Sequence, residues 1–420
     1  MKLLLNLFFV VTFLSFSVCT YSQWDLIYSL PVPGYAKTPH FSFSNPQNGW
    51  AAYVNIGSPS GDDYLAIVKS NNFGITWTES SNLSGSSIDA TNISTLDSLN
   101  VYFTGNNPFF GFCRYSHDGG AQWTDLPLGS QNYSRDAFLL DSETLFISTV
   151  NNQTSKLMKF YQGTLSTLYT ADSIAFNNSK IFFLTQNIGY IIAKDLSNNS
   201  ILLQTNDGGT TFLTKYSSAS YNFRNIHFTS DSTGYICCDS GVILKTIDFG
   251  SSFTELSTSN SNNLYDIQFV NDSCGYAVGQ NGTCIYTTNF GATWTSDSMS
   301  TNDLLKSVQL FSMENGYILG VPSTLTPGFK LWNKNDLSNL TELKNGSFNI
   351  YPNPTSDYFT IRCQSDDTIH ELEIYSALGD KVFFSTKNER IVNVSNFEKG
   401  LYFVVIKIND ITHIRKIVKQ

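Results

Sequence analysis

Residues 116–123 read SHDGGAQW, an acid, two glycines and an aromatic within eight positions. Alone, that cluster would suit a catalytic carboxylate or a metal ligand. The chain repeats it as SNNFGITW (70–77), TNDGGTTF (205–212), TIDFGSSF (246–253) and TTNFGATW (287–294), always in the order Ser/Thr, any, Asp/Asn, any, Gly, any, any, aromatic. The third positions are Asn72, Asp118, Asp207, Asp248 and Asn289, spaced 46, 89, 41 and 41 residues apart. The long interval predicts a degenerate copy, and KFYQGTL (159–165) lies inside it with the glycine kept. One period after Asn289 comes FKLWNKNDL (329–337), in the right place without the turn residues. The count is seven, and the period is that of a propeller blade.

A second pattern gives the same count. Ahead of each copy stands a short apolar strand, often opened by Gly and an aromatic: NGWAAYV (48–54), NVYFTG (100–105), TLFIST (144–149), GYIIAK (189–194), GYICCD (234–239), GYAVGQ (275–280) and GYILGV (316–321). Upstream of most lies another, such as NIHF (225–228) or DIQF (266–269). Each unit therefore reads strand, turn, strand, loop, strand, octapeptide, strand. Seven such units close an all-β ring, a seven-bladed β-propeller spanning residues 23–338. WDLIYSL (24–30) resembles the segment after an octapeptide, so it is expected to complete the last blade.

The fullest unit, FVNDSCGYAVGQNGTCIYTTNFGATW (269–294), resembles the Asp-box, or bacterial neuraminidase repeat, propellers of the photosystem II assembly and stability factor type. Those motifs specify a fold shared by sialidases, xyloglucanases, sortilin-type receptors and assembly factors, so function has to be argued from the site.

The ends carry addresses. Residues 1–22 join Lys2 to the run LLLNLFFVVTFLSFSV, which reads as a secretory signal peptide cleaved near Gln23. Val18 before Cys19 does not suit lipidation. No other apolar run is long enough for a membrane-spanning helix. After a linker (339–347), residues 348–420 alternate apolar and polar positions as a small antiparallel β-sandwich does. YPNP, LGDKV, FEKGLYFV and the basic end RKIVKQ resemble the type A sorting domain of the type IX secretion system of Bacteroidetes. The resemblance implies export across the outer membrane by that machinery, removal of the domain, and release or surface attachment. The formal charge of −9 argues against a nucleic-acid partner. The six cysteines beyond the leader lack zinc spacing, and Cys237 and Cys238 are expected to be buried thiols.

A proton donor must share a pocket with a partner group, whereas a ring carries the octapeptide acids far apart. Asn also replaces Asp in two copies, which suits a hydrogen-bond acceptor. Asn72, Asp118, Asp207, Asp248 and Asn289 are therefore read as turn staples, with Trp77, Trp123, Phe212, Phe253 and Trp294 packing between blades. Each turn offers one carboxylate where calcium takes roughly six oxygens, so neither metal nor cofactor is expected. The alternative is a sialidase- or xyloglucanase-like glycoside hydrolase. Its arginine triad has only Arg114, Arg135 and Arg224 to draw on, without a matching motif, and Arg114 suits a rim ion pair. Paired carboxylates would come from Asp62, Asp63 or Asp195 in loops. The preferred reading is a non-catalytic binding or scaffold propeller. Its loops between second and third strands read long in units 7 and 1 to 4, but as the tight turns CDSG and GQNG in units 5 and 6. They predict a wall opposite the octapeptides, where Asp63, Tyr64, Phe109 and Phe110 would meet a carbohydrate or protein ligand.

Overall fold

The computed structural model describes residues 24–31, 36–55, 64–84, 88–151, 154–297, 299–323, 328–335, 348–352, 355–363, 368–376, 381–408 and 411–420. The expected leader, Asp63 and the linker at 339–347 lie outside them. Seven four-stranded antiparallel sheets succeed one another: residues 36–84, 89–127, 133–171, 174–218, 223–256, 264–296, and 304–335 joined by Asp25–Pro31. These are blades 1 to 7. The expected latch is present, with Asp25 opposite Asn333 and Pro31 opposite Gly328.

The core is divided into one apolar cluster per blade interface. The Gly-aromatic dipeptide explains how. In blade 5 the inner strand ends at Phe228, directly opposite Gly234, and a Cβ at Gly234 would lie 2.6 Å from that ring. The space lets Phe228 stack on Tyr190 of blade 4 at 3.7 Å, while the Tyr190 hydroxyl donates to the Asp231 carbonyl of blade 5 at 2.9 Å. Tyr235 with Phe269, Tyr317 with Phe43, and Phe146 with Phe183 repeat the stack at 3.8, 3.7 and 3.6 Å. Each aromatic pair adds about 0.5–1.5 kcal/mol beyond its area burial.

Blade 7 lacks an octapeptide because its outer strand comes from the other end of the chain, leaving no hairpin to staple. Its aromatic is present all the same. Trp77, Trp123, Phe212, Phe253 and Trp294 each precede an outer strand and pack on the preceding blade, and Leu165, just inside the outer strand, packs likewise in blade 3. Trp24, directly before Asp25–Pro31, fills that position between blades 6 and 7. Its indole N–H donates to Asp297 Oδ2 at 3.2 Å, and the buried Lys334 ammonium donates to the same oxygen at 3.0 Å.

The C-terminal residues form two further sheets, Phe348–Tyr351, Tyr358–Cys363 and Ile391–Asn393 in one, and Lys381–Ser385, Ile369–Ser376, Gly400–Ile408 and Ile411–Lys419 in the other. They share a core that includes Phe359, Leu372, Ile374, Val404 and Ile406. The last residue is tied in, with Gln420 N donating to Thr355 O at 2.9 Å. No helix among the described residues is long and apolar enough to cross a membrane. Cys237 and Cys238 are buried free thiols, as are Cys113 and Cys284.

Candidate functional site

The octapeptides are staples at the turn between third and outer strands. In blade 4, Thr205 Oγ1 donates to Asp207 Oδ1 at 2.8 Å and accepts from Gly209 N at 2.9 Å, while Asp207 accepts from Thr211 N at 2.9 Å and Thr211 Oγ1 at 2.7 Å. Asn72 and Asn289 accept from Thr76 N and Thr293 N, each at 3.0 Å, and use their amides to donate to those threonine hydroxyls. The fourth position bonds to the blade's first turn, as in Phe249 N to Ser232 O at 3.1 Å. The fifth, glycine, has positive φ in all five copies; a Cβ on Gly250 would meet Leu202 of the preceding blade at 2.7 Å. Donors from the turn, the Thr211 N–H foremost, hold the Asp207 carboxyl at about 2. Hydrogen bonds from the Ser252 hydroxyl and N–H do the same for Asp248. Such fixed anions are poor proton donors.

On the opposite face the expected contrast of loop length holds for blades 1 and 7, whose connections run over 56–63 and 322–327, but not for blades 2 to 4. The connections in blades 2 to 6 are 107–110, 151–154, 196–199, 239–242 and 280–283, four residues in each. What differs is the ladder beneath them. From equivalent bases, hairpins in blades 7 and 1 to 4 run six or seven pairs, and those in blades 5 and 6 run four. The wall is therefore made of strand, standing about 7 Å higher at ~3.3 Å per residue. It leaves a notch over blades 5 and 6.

Phe109 crowns the blade 2 hairpin, 74% exposed. Its turn is rigid: Asn107 Oδ1 accepts from Phe109 N and Phe110 N at 2.8 and 2.9 Å, and Tyr133 of blade 3 donates to Pro108 O at 3.0 Å. Phe110 is half as exposed. Tyr64, across blade 1, packs on the core between blades 7 and 1. Asp195 accepts from Ser197 N and Asn199 N at 2.9 and 2.8 Å, capping its own hairpin.

The larger feature lies along the axis, a cavity of about 710 Å³ lined by the seven inner strands. Near its start, each inner strand slips register with its neighbour, for example between Ser134 and Asp136, Phe223 and Asn225, Leu264 and Asp266, and Leu305 and Ser307. A bulge re-aims the skipped side chain, and Arg135, Arg224, Tyr265 and Lys306 all line the cavity. The following residues tie the blades together where inner strand edges have no neighbouring strand to bond. Asp136 accepts from Ile181 N at 2.9 Å and Lys180 Nζ at 3.0 Å. Asp266 accepts from Val308 N and Ser307 Oγ, both at 2.8 Å. Both carboxylates are thus engaged in structure.

Burial and the nearby charges of Lys180 and Lys306 lower His40 to about 3, and burial lowers His227 to about 4, so both imidazoles are neutral at pH 7. The lining then carries Arg135, Lys180, Arg224 and Lys306 against Asp136 and Asp266, a positive site within a chain of charge −9. The three propeller arginines do not form a triad. Arg114 pairs with Asp125 at 2.5 Å on the outer side of blade 2, and Arg224 pairs with Asp239 at 2.6 Å under the Tyr265 ring. Sequence reading named Arg135 and Arg224 only as triad candidates, and missed Lys180, Lys306 and the channel they share. The signal available was a charge inside an apolar inner strand, as in Arg224 before NIHF and Lys306 before SVQL.

Comparison with known proteins fits this architecture. Residues 250–341 match the photosynthesis system II assembly factor YCF48 family, and residues 349–420 match the secretion system C-terminal sorting domain. The chain is thus similar to Asp-box propellers of the photosystem II assembly-factor type, and its C-terminal segment to type IX sorting domains. Among solved structures, "YCF48 bound to D1 peptide" is 18% identical with TM-score 0.58, covering 76% of this chain and 96% of that one. YCF48 from Cyanidioschyzon merolae is 16% identical with TM-score 0.54, covering 74% and 98%. The WD40 propeller domain of Doa1 is 13% identical with TM-score 0.50, covering 74% and 97%. A search of curated protein sequences finds no match.

Proposed function

We propose that this is an exported, non-catalytic binding propeller of a Bacteroidetes cell, holding an extended polypeptide across the face opposite the Asp-boxes. A leader at 1–22 and the domain at 348–420 would serve as successive export signals, leaving the propeller secreted or at the outer-membrane surface. The observation that carries the reading is Phe109, a large apolar ring held out in water by a rigid turn. That turn bonds to the entry of blade 3, two residues before the channel-lining Arg135: Gln131 N donates to Phe109 O at 3.3 Å, and Tyr133 hydroxyl to Pro108 O. A preordered aromatic offers contact area at low entropic cost. The notch gives an extended chain a way off the mouth past Arg224 and Tyr265. A peptide is favoured as ligand because a similar propeller has been solved as YCF48 bound to D1 peptide.

The exported protein is tested on a peptide array and a glycan array, with products analysed. Retention of peptides, weakened about tenfold or more in Phe109→Ala at unchanged melting temperature, is the expected result for an exposed anchor. Sugar release would instead establish the glycoside hydrolase.

A further inference from the structure

We propose that blade 3 pairs with blade 3 of a second copy of this chain, outer strand against outer strand. The pairing does not rest on the peptide reading, because the outer strands lie at the rim and the inner strands line the axial cavity. Each blade's outer strand bonds to one neighbour only. Its far side is a row of main-chain donors and acceptors open to another strand, which proteins usually defend with charge, proline or shortness. Six of the seven are defended. Glu79, Lys215 and Glu255 each charge one, Asp125 with Pro127 and Asp25 with Pro31 guard two more, and Thr295–Ser296 is two residues long. Thr164–Ala171, reading TLSTLYTA, is the longest of the seven at eight residues and carries neither charge nor proline.

The degenerate octapeptide explains that length. Third and outer strands of blade 3 are joined by Gln162 and Gly163 alone, both at positive φ, the geometry of a two-residue hairpin. Pairing therefore starts at Tyr161 opposite Thr164 and runs to Ser155 opposite Ala171. The one irregularity skips Leu168, whose side chain packs on the core between blades 3 and 4, where the matching irregularity of blade 4 skips Lys215. Thr164, Ser166, Thr167 and Thr170 are exposed. Threonine suits an extended strand, and cross-strand Thr–Thr pairs are favourable. Among the described residues the main chain of this strand bonds only to its neighbour in the blade.

Symmetry selects the partner. Two identical strands running antiparallel across a two-fold axis offer each other matching donors and acceptors. The same operation on any other outer strand of more than two residues sets a like charge on each side of the shared edge. With one such edge per ring, the contact closes as a dimer instead of growing into a fibre.

Sedimentation velocity on the full chain reads the association. Wild type is expected to pass from monomer to dimer between about 1 and 100 μM, the range of a small interface. T167K/T170K and T167E/T170E should each dimerise about tenfold more weakly or worse at unchanged melting temperature, and an equimolar mixture of the two should associate again. A wild-type chain that stays monomeric overturns the proposal and leaves the edge to a strand of another protein. A dimer untouched by either variant, or a mixture that fails to associate, overturns it as well. Should the variants misfold, hydrogen exchange of wild type decides. Slowing at 164–171 as concentration rises supports the pairing, and exchange unchanged there refutes it.

Discussion

Asp118, Asp207 and Asp248 show how position within a repeat decides what a carboxylate does. Each accepts from a hydroxyl two residues earlier and an N–H four residues later. Asp207 and Asp248 are held at about 2 against an ordinary 3.8. A carboxyl with a lowered folded pKa stabilises fully above the unfolded value and loses that contribution as pH falls through the folded one. The window is therefore pH 4 to 2. D118N/D207N/D248N, which copies the arrangement at Asn72 and Asn289, should lose less melting temperature across that window than wild type. Parallel melting curves would refute the assignment.

At the scale of the element, Trp24 completes a repeat whose remainder lies at the far end of the ring. It is 3% exposed, and its indole shares Asp297 Oδ2 with Lys334. Trp24→Ala should cost about 3–5 kcal/mol in urea unfolding, the usual range for a buried aromatic. Phe212→Ala, at a half-buried equivalent, should cost less. Equal costs would mean that the latch is not special. Strand order, blade count and latch were legible in the sequence because turn chemistry and Gly-aromatic spacing are local. The wall was legible only as an asymmetry. Whether AKDLSNNS is loop or ladder depends on pairing, and the structure makes Lys194 the last paired residue. Phe109 was legible as a candidate, but the cationic channel was not. It arises where four of the seven separated inner strands each place one Arg or Lys in the cavity, and a single charge per strand has no periodicity to betray it.

For the whole molecule, the two modules have separate apolar cores. The sorting sandwich has its own apolar core and its last residue is hydrogen-bonded, so truncation at the C-terminus would remove structure as well as a signal. Expression in a Bacteroidetes host with and without residues 348–420 should abolish surface delivery of the shorter chain while the propeller still folds. Equal delivery of both would sink the export role.

The split seventh blade also acts as a clock. Asp25 pairs with Asn333, and closing a loop on that scale costs more chain entropy than closing any hairpin of the ring. During synthesis six blades can assemble in order, each docking on the last, yet the circle stays open until residue 335 has emerged. The sorting segment is made only afterwards. Every chain that carries the export address has therefore already received the strand that allows its ring to close.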